Sequence, residues 1–158
     1  MEVPELHPDL GPVAFLLGRW HGEARSLWLG DEIVFREETV FEHFGKPWIS
    51  YRQQTWRADG LPSHGESGYL AVKPDGSVTL TIAQPSGVVE VSTGRAEGGR
   101  VEVDSARLAL SEDAKPVTGV ARSIFVEDEG VLAYLLRVSL NGEPLADHIA
   151  GRLLVTAS

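Results

Sequence analysis

The 158-residue chain contains no cysteine, and its apolar runs are only a few residues long. The absence of cysteine excludes disulfides, thiolate metal ligands and a cysteine nucleophile, and it is consistent with a reducing compartment. Apolar runs this short cannot span a bilayer as a helix. Residues 1–7 are acidic and lack the basic and apolar regions of a signal peptide. We therefore expect a soluble, cytoplasmic protein without a membrane partner.

A basic patch is also lacking. The formal net charge is -9, and the lysines and arginines are scattered along the chain. Because such a field repels a phosphate backbone, we expect no nucleic-acid partner. The length and a hydrophobic content of 42% predict one domain over residues 1–158 with a single core. They leave both a monomer and a homodimer open.

The usual catalytic signatures are missing as well. The chain has no glycine-rich phosphate loop, no HExxH zinc pair and no GxSxG nucleophile elbow. His21, His43, His64 and His148 are dispersed, so their spacing does not predict a zinc site. Acidic clusters such as Glu37-Glu38 are best explained as solvated faces and turns. The residues alone therefore give no positive support to hydrolysis by paired carboxylates or to another catalytic site.

The pattern that is present has a period of two, which is typical of strands. Residues 13–17 predict a short helix or turn that ends at Gly18, and strand-like runs follow. These runs cover residues 33–41, 48–51, 68–72, 77–82, 88–93, 101–106, 120–126, 131–140 and 145–155, with turn residues such as Asp75-Gly76 and Asn141-Gly142 between them. About ten short strands predict an all-β protein, either a meandering antiparallel barrel or a two-sheet sandwich. A barrel of this size has room for a ligand.

His148 lies in the C-terminal strand-like run. Strand alternation places it on one face with Ala146 and Ala150, and two such small neighbours leave room for a flat macrocycle against the imidazole. The alternative is a histidine that only makes structural hydrogen bonds. His64, beside Gly65, is either a surface turn residue or a residue that reaches over a cavity mouth.

A large aromatic residue also stands between two glycines at the predicted helix-to-strand junction. We expect Trp20 to plug one barrel end while Gly18 and Gly22 allow close backbone approach. Direct contact of Trp20 with a ligand is the alternative.

Four stretches of the chain resemble motifs of the nitrobindins, which are small haem-binding β-barrels. Residues 18–23, 62–70, 83–91 and 144–150 are similar, in this order, to the family's GxWxGxG, PLHxExGYLR, AxxxGxxEV and PLxxHLxA motifs. Together they span nearly the whole chain. The resemblance implies an antiparallel up-and-down β-barrel of about ten strands.

The same resemblance implies a cofactor and an activity. His148 matches the axial ligand of a ferric haem b, at which nitrobindins bind nitric oxide and isomerise peroxynitrite to nitrate. His64 matches a residue on the distal side of the haem. Lys115 and Arg122 match basic positions that would contact the propionates or the pocket, with surface charges as the alternative.

The chain departs from the family pattern in residues 24–29. Ala24 replaces the last glycine of GxWxGxG, and Leu27, Trp28 and Leu29 are bulky where the family has a stretch beside the haem. This change motivates a second hypothesis, a haem-free carrier or sensor of a lipophilic molecule such as a fatty acid. A third hypothesis, a packed structural barrel, predicts no sizeable internal cavity.

Overall fold

The computed structural model describes residues 2–28 and 33–156. An N-terminal 3-10 helix, Pro8–Leu16, precedes ten strands, so the all-β prediction is confirmed. The strands are β1 (Gly18–Ser26), β2 (Ile33–His43), β3 (Trp48–Trp56), β4 (Pro62–Val72), β5 (Ser77–Ala83), β6 (Val88–Glu97), β7 (Arg100–Leu110), β8 (Val117–Asp128), β9 (Val131–Leu140) and β10 (Ala146–Val155).

The ten strands form a closed barrel. Each strand pairs antiparallel with its neighbour in the chain, and β1 pairs with β10 to close the sheet. This topology confirms the up-and-down barrel and excludes the two-sheet sandwich. The predicted hairpin at Asp75-Gly76 joins β4 to β5, and Asn141 and Gly142, both with positive φ, join β9 to β10.

The helix closes one end of the barrel. Leu10, Val13 and Leu16 are fully buried, and the indole Nε1 of Trp20 donates a hydrogen bond to the Leu16 carbonyl oxygen at 2.7 Å. Trp20 therefore plugs this end, as predicted. The helix begins at Pro8, earlier than expected. A proline is tolerated in the first turn because the N–H that it lacks would have no hydrogen-bond partner there. In the described part of the chain, no helix is long and apolar enough to cross a membrane.

Close packing of β1 on β10 depends on a glycine. A Cβ on Gly22 would lie 2.1 Å from the carbonyl oxygen of Arg152, far inside contact distance. The two backbones can therefore approach only because position 22 has no side chain, as the sequence predicts.

A polar belt crosses the barrel interior next to the apolar plug, and strand alternation did not predict it. Its members are buried and come from five strands: Glu37, Thr39, Tyr51, Gln53, Glu66, Glu90, Ser92 and Arg122, with the partly buried Tyr134 of β9 bound to them. The interior thus changes from an apolar core at the helix end to a hydrogen-bonded layer further along the barrel axis.

Candidate functional site

His148 lies at the end of the barrel opposite the plug. Strand β1 runs from Trp20, at the plugged end, to Ser26, which lies opposite Ile149 in β10. The candidate site is therefore at the open end of the barrel, beyond the polar belt.

A β-bulge determines how His148 is presented. The register between β9 and β10 shifts between the two neighbours of His148, so this residue has no opposite partner. Ile149 lies opposite Leu136, which lines the interior, and Ala150 therefore faces outward. The prediction that His148 shares a face with Ala146 and Ala150 is thus wrong, because one extra residue interrupts the alternation. Bulges commonly re-aim side chains beside functional sites.

The bulky residues that depart from the family pattern form part of this site. The backbone N–H of Leu27 donates to the carbonyl oxygen of His148 at 2.8 Å. The Trp28 ring packs on the imidazole with centroids 5.5 Å apart, and the Lys115 ammonium lies 4.8 Å from the centre of the same indole. Trp28 is thus held between a cation and the candidate ligand. Leu29, which belongs to the same stretch, lies outside the described residues.

The electrostatic surroundings of His148 favour a neutral imidazole. Burial lowers its pKa, the positive charge of Lys115 lowers it further, and a proton on His64 would act in the same direction. A neutral imidazole has a free lone pair and can bind a metal. The structure therefore brings together three of the four predicted site residues, His148, His64 and Lys115, although their roles toward a cofactor stay predictions.

His64 lies in strand β4 rather than in a surface turn. Its N–H donates to Thr55 Oγ1 at 3.1 Å, and its carbonyl oxygen accepts from Gln54 Nε2 at 2.8 Å. Its side chain is 36% exposed, and its Nε2 lies 3.6 Å from Oε2 of the buried Glu66. Of the two alternatives, a residue at the mouth of the barrel is the one that fits.

Arg122 lies one layer deeper, in the polar belt. Its Nη1 donates to Glu66 Oε1 at 2.7 Å, and its Nε donates to Glu90 Oε1 at 3.1 Å. With a side chain only 9% exposed, it is not the surface charge that one alternative proposed. Two carboxylates take up its donors, so the structure does not place it at His148 with the other site residues.

The sequence does contain a signal for this buried cluster. Glu66 and Glu90 occupy inward positions of their strands, in phase with buried Leu70 and Val88. An ionisable residue in phase with an apolar inward face needs a partner of opposite charge. Arg122, in phase with buried Val120, is that partner.

The belt holds its charges by pairing. Burial raises the pKa of Glu66, but the adjacent Arg122, the nearby His64 and the hydrogen bond from Tyr51 outweigh it and hold that pKa well below its usual range. At Glu37 burial prevails over the hydrogen bonds from Tyr134, Thr39 and Gln53, and its pKa is raised. Glu66 is therefore an ionised acceptor, while Glu37 binds a proton more readily than a free glutamate does.

The interior leaves little free space. A cavity of about 30 Å³ lies between the belt and apolar residues such as Ile124 and Leu132, which is room for about one water molecule. An open groove of about 490 Å³ lies on the outer face of β2–β6, and none of the candidate site residues lines it. Sites for drug-sized ligands need roughly 300 Å³ or more, so this internal cavity is too small for the lipophilic ligand of the carrier hypothesis and also too small for a flat cofactor. We therefore expect the cofactor at the barrel mouth.

Residues 9–154 match the family of the THAP4-like, heme-binding beta-barrel domain, and the chain belongs to this family. The haem predicted from the sequence is the cofactor that defines the family. Among solved structures, the chain is similar to Rv2717c from M. tuberculosis, with a TM-score of 0.87 and 37% identity over 97% of this chain and all of that one.

Two curated relatives extend the comparison to activity. The chain is 42% identical to Peroxynitrite isomerase 2 of Mycobacterium ulcerans (strain Agy99), covering 94% of this chain and 96% of the relative. It is 37% identical to Peroxynitrite isomerase Rv2717c of Arabidopsis thaliana, covering 94% and 89%. Relatives from two kingdoms thus carry the same enzyme name over nearly their full lengths.

The donor set at the barrel mouth fits haem better than a bare metal ion. Within residues 2–28 and 33–156, no group of three or more histidine, aspartate or glutamate side chains could hold a metal. A single neutral imidazole suits a metal that arrives with its own equatorial ligands, as haem iron does. Lys115, close enough to influence His148, supplies a positive charge of the kind that a propionate needs.

Proposed function

We propose that this chain binds ferric haem b through His148, binds nitric oxide at the iron and isomerises peroxynitrite to nitrate. One observation carries the proposal: a neutral imidazole on a bulge at the open end of the barrel, with Lys115 and His64 close enough to lower its pKa. The enzyme names of the relatives support the choice of substrate.

The contributions of the chain follow from the site. The ferric iron, when bound, supplies an electrophilic centre for a peroxynitrite oxygen. His148 offers its lone pair because burial and nearby cations keep the imidazole neutral. Lys115 offers a positive charge to a propionate, and His64 supplies a polar group at the mouth. No protein nucleophile is needed, which agrees with the absence of catalytic motifs.

Haemin titration tests the cofactor. We expect a Soret band at one equivalent in the wild type and its loss or a marked shift in His148→Ala. His21→Ala is the matched control, because His21 lies on the outer face of β1 beside Glu38 and is 43% exposed. If His148→Ala and the wild type give the same Soret band, His148 is not the axial ligand.

Stopped-flow decay of peroxynitrite tests the reaction separately. We expect the haemin-loaded protein to accelerate the decay and to raise the nitrate-to-nitrite ratio, whereas the haem-free protein does neither. Adding nitric oxide to the loaded protein should shift the Soret band. If the protein takes up haemin but does not accelerate peroxynitrite decay, the haem assignment is supported and the isomerase activity is excluded.

A further inference from the structure

The two oxygens of Glu66 have different partners. Oε1 accepts hydrogen bonds from Arg122 Nη1 at 2.7 Å and from the Tyr51 hydroxyl at 2.6 Å. Oε2 accepts a longer hydrogen bond from Arg122 Nη2 at 3.3 Å and lies 3.6 Å from Nε2 of His64. Oε1 thus accepts two short hydrogen bonds from the belt, while Oε2 accepts one longer bond and faces the histidine at the barrel mouth.

An ionised carboxylate can only accept hydrogen bonds. With Glu66 held in its charged form by Arg122 and 3% exposed, the atom that faces His64 Nε2 is a permanent acceptor. At 3.6 Å the contact is electrostatic rather than a short hydrogen bond. It still favours a proton on Nε2, because the other tautomer would direct a nitrogen lone pair at a negative charge.

We propose that Glu66 is a positioning residue that holds neutral His64 in the Nε2–H tautomer, so that Nδ1 is left as a hydrogen-bond acceptor. The part of this inference that concerns ligands at the barrel mouth rests on the proposed function. An acceptor there favours ligands that bring a proton, such as water or peroxynitrous acid, over bare anions. Arg122 supports the arrangement from below without contacting the ligand.

Glu66→Gln should reverse the tautomer. We expect the amide oxygen of the new side chain at the Oε1 position, where Arg122 and Tyr51 donate two short hydrogen bonds, rather than at the Oε2 position, where Arg122 donates one longer bond. The amide NH₂ then occupies the Oε2 position and presents a donor to His64. His64 would answer with an unprotonated Nε2 and a proton on Nδ1.

Glu90→Gln is the matched control. Glu90 is fully buried and accepts hydrogen bonds from Arg122 and Ser92, and none of these bonds involves His64. The control therefore removes the same charge from the same belt and leaves the Glu66–His64 pair in place. An effect that is caused only by the loss of a buried negative charge would therefore appear in both variants.

The first measurement is nitrogen-15 NMR of the imidazole nitrogens of haem-free protein at about pH 9, where ordinary imidazoles are neutral. His64→Gln identifies the signal. We expect the Nε2–H tautomer in the wild type and in Glu90→Gln, and the Nδ1–H tautomer in Glu66→Gln. An Nδ1–H tautomer in the wild type overturns the proposal even if a variant fails to fold. An unchanged tautomer in Glu66→Gln, or a reversal in both variants, also overturns it.

The second measurement is fluoride affinity of the haemin-loaded protein, since fluoride is an anion that accepts hydrogen bonds. A new donor on His64 should tighten fluoride binding about tenfold in Glu66→Gln, as expected for one hydrogen bond to a charged group. The effect in Glu90→Gln should stay within about twofold. Equal affinities in all three proteins overturn the selectivity for proton-carrying ligands. Failure to take up haemin refutes the proposed function instead, and the NMR result still decides the role of Glu66.

Discussion

Gly151 in β10 is a position at which even one added methyl group should destabilise the barrel. A Cβ at this position would lie 2.1 Å from Cε1 and 2.5 Å from Cζ of Tyr134, well inside contact distance. The ring cannot simply turn away, because its hydroxyl donates to the buried Glu37. Gly151→Ala therefore forces either a backbone shift or the loss of that hydrogen bond.

The loss of unfolding free energy caused by Gly151→Ala has two parts. Inserting a methyl group into a packed interior costs about 1–3 kcal/mol. Loss of the Tyr134 donor from Glu37, which keeps its hydrogen bond from Thr39, adds about 0.5–1.5 kcal/mol. We therefore expect Gly151→Ala to lower the free energy of unfolding by about 3 kcal/mol, measured by urea denaturation. Gly11→Ala is the control, because its Cβ would meet no atom within 4 Å, and its effect should stay within about 0.5 kcal/mol.

A double-mutant cycle separates this explanation from a general intolerance of β10. In a Tyr134→Ala background the ring is absent, so adding the methyl group at position 151 should cost less than about 1 kcal/mol. If Gly151→Ala is equally costly in both backgrounds, the clash with Tyr134 is not the cause. A cost below about 1 kcal/mol in the wild-type background would refute the reasoning as well.

Three further predictions concern the belt, the plug and the mouth. Because the folded-state pKa of Glu66 is lowered, its contribution to stability is present above the unfolded pKa of 4.5 and is lost as pH falls through the folded pKa. The raised pKa of Glu37 has the opposite effect. In urea melts at decreasing pH, Glu66→Gln should therefore reduce the loss of stability in acid, and Glu37→Gln should increase it. Equal slopes in the two variants would contradict this. Trp20→Phe should cost about 1–3 kcal/mol in the same assay, because the Leu16 carbonyl oxygen loses a buried donor, and a neutral result would be inconsistent with that bond. Trp28→Ala should speed haemin uptake in stopped-flow absorbance, because the indole that packs on His148 has to move first, whereas slower uptake would mean that Trp28 helps to hold the haem.

Local patterns in the sequence predicted the strands and turns because these are local features, while the choice of a barrel over a two-sheet sandwich came from the family resemblance. Alternation marked the strands, and Asp75-Gly76 and Asn141-Gly142 supplied the positive-φ residues that tight hairpins need. Several boundaries differ: the helix begins at Pro8, β4 begins at Pro62 rather than at residue 68, and β3 continues to Trp56 rather than ending at residue 51. Up-and-down topology then required only that each strand pair with the next.

The details of the site could not be predicted in the same way. A bulge adds one residue to a strand without changing its composition, so the alternation that placed His148 beside Ala150 missed the shift. The partners of Arg122 are 56 and 32 residues away in the chain, and only the closed barrel brings them together. Contacts set by global closure leave a weak local signal, namely a charge in phase with apolar inward positions.

The polar belt explains why the candidate iron ligand, His148, lies at the barrel mouth. A flat apolar cofactor that entered further would have to remove water and partners from Glu66, Glu90 and Arg122, and stripping partners from buried charges costs several kcal/mol. The plug and its core already fill the space beyond. An axial histidine is therefore useful only near the mouth, and the bulge in β10 places His148 there. Through Glu66 the same belt also reaches His64, so in our proposal the layer that limits the depth of the site also sets the tautomer of His64.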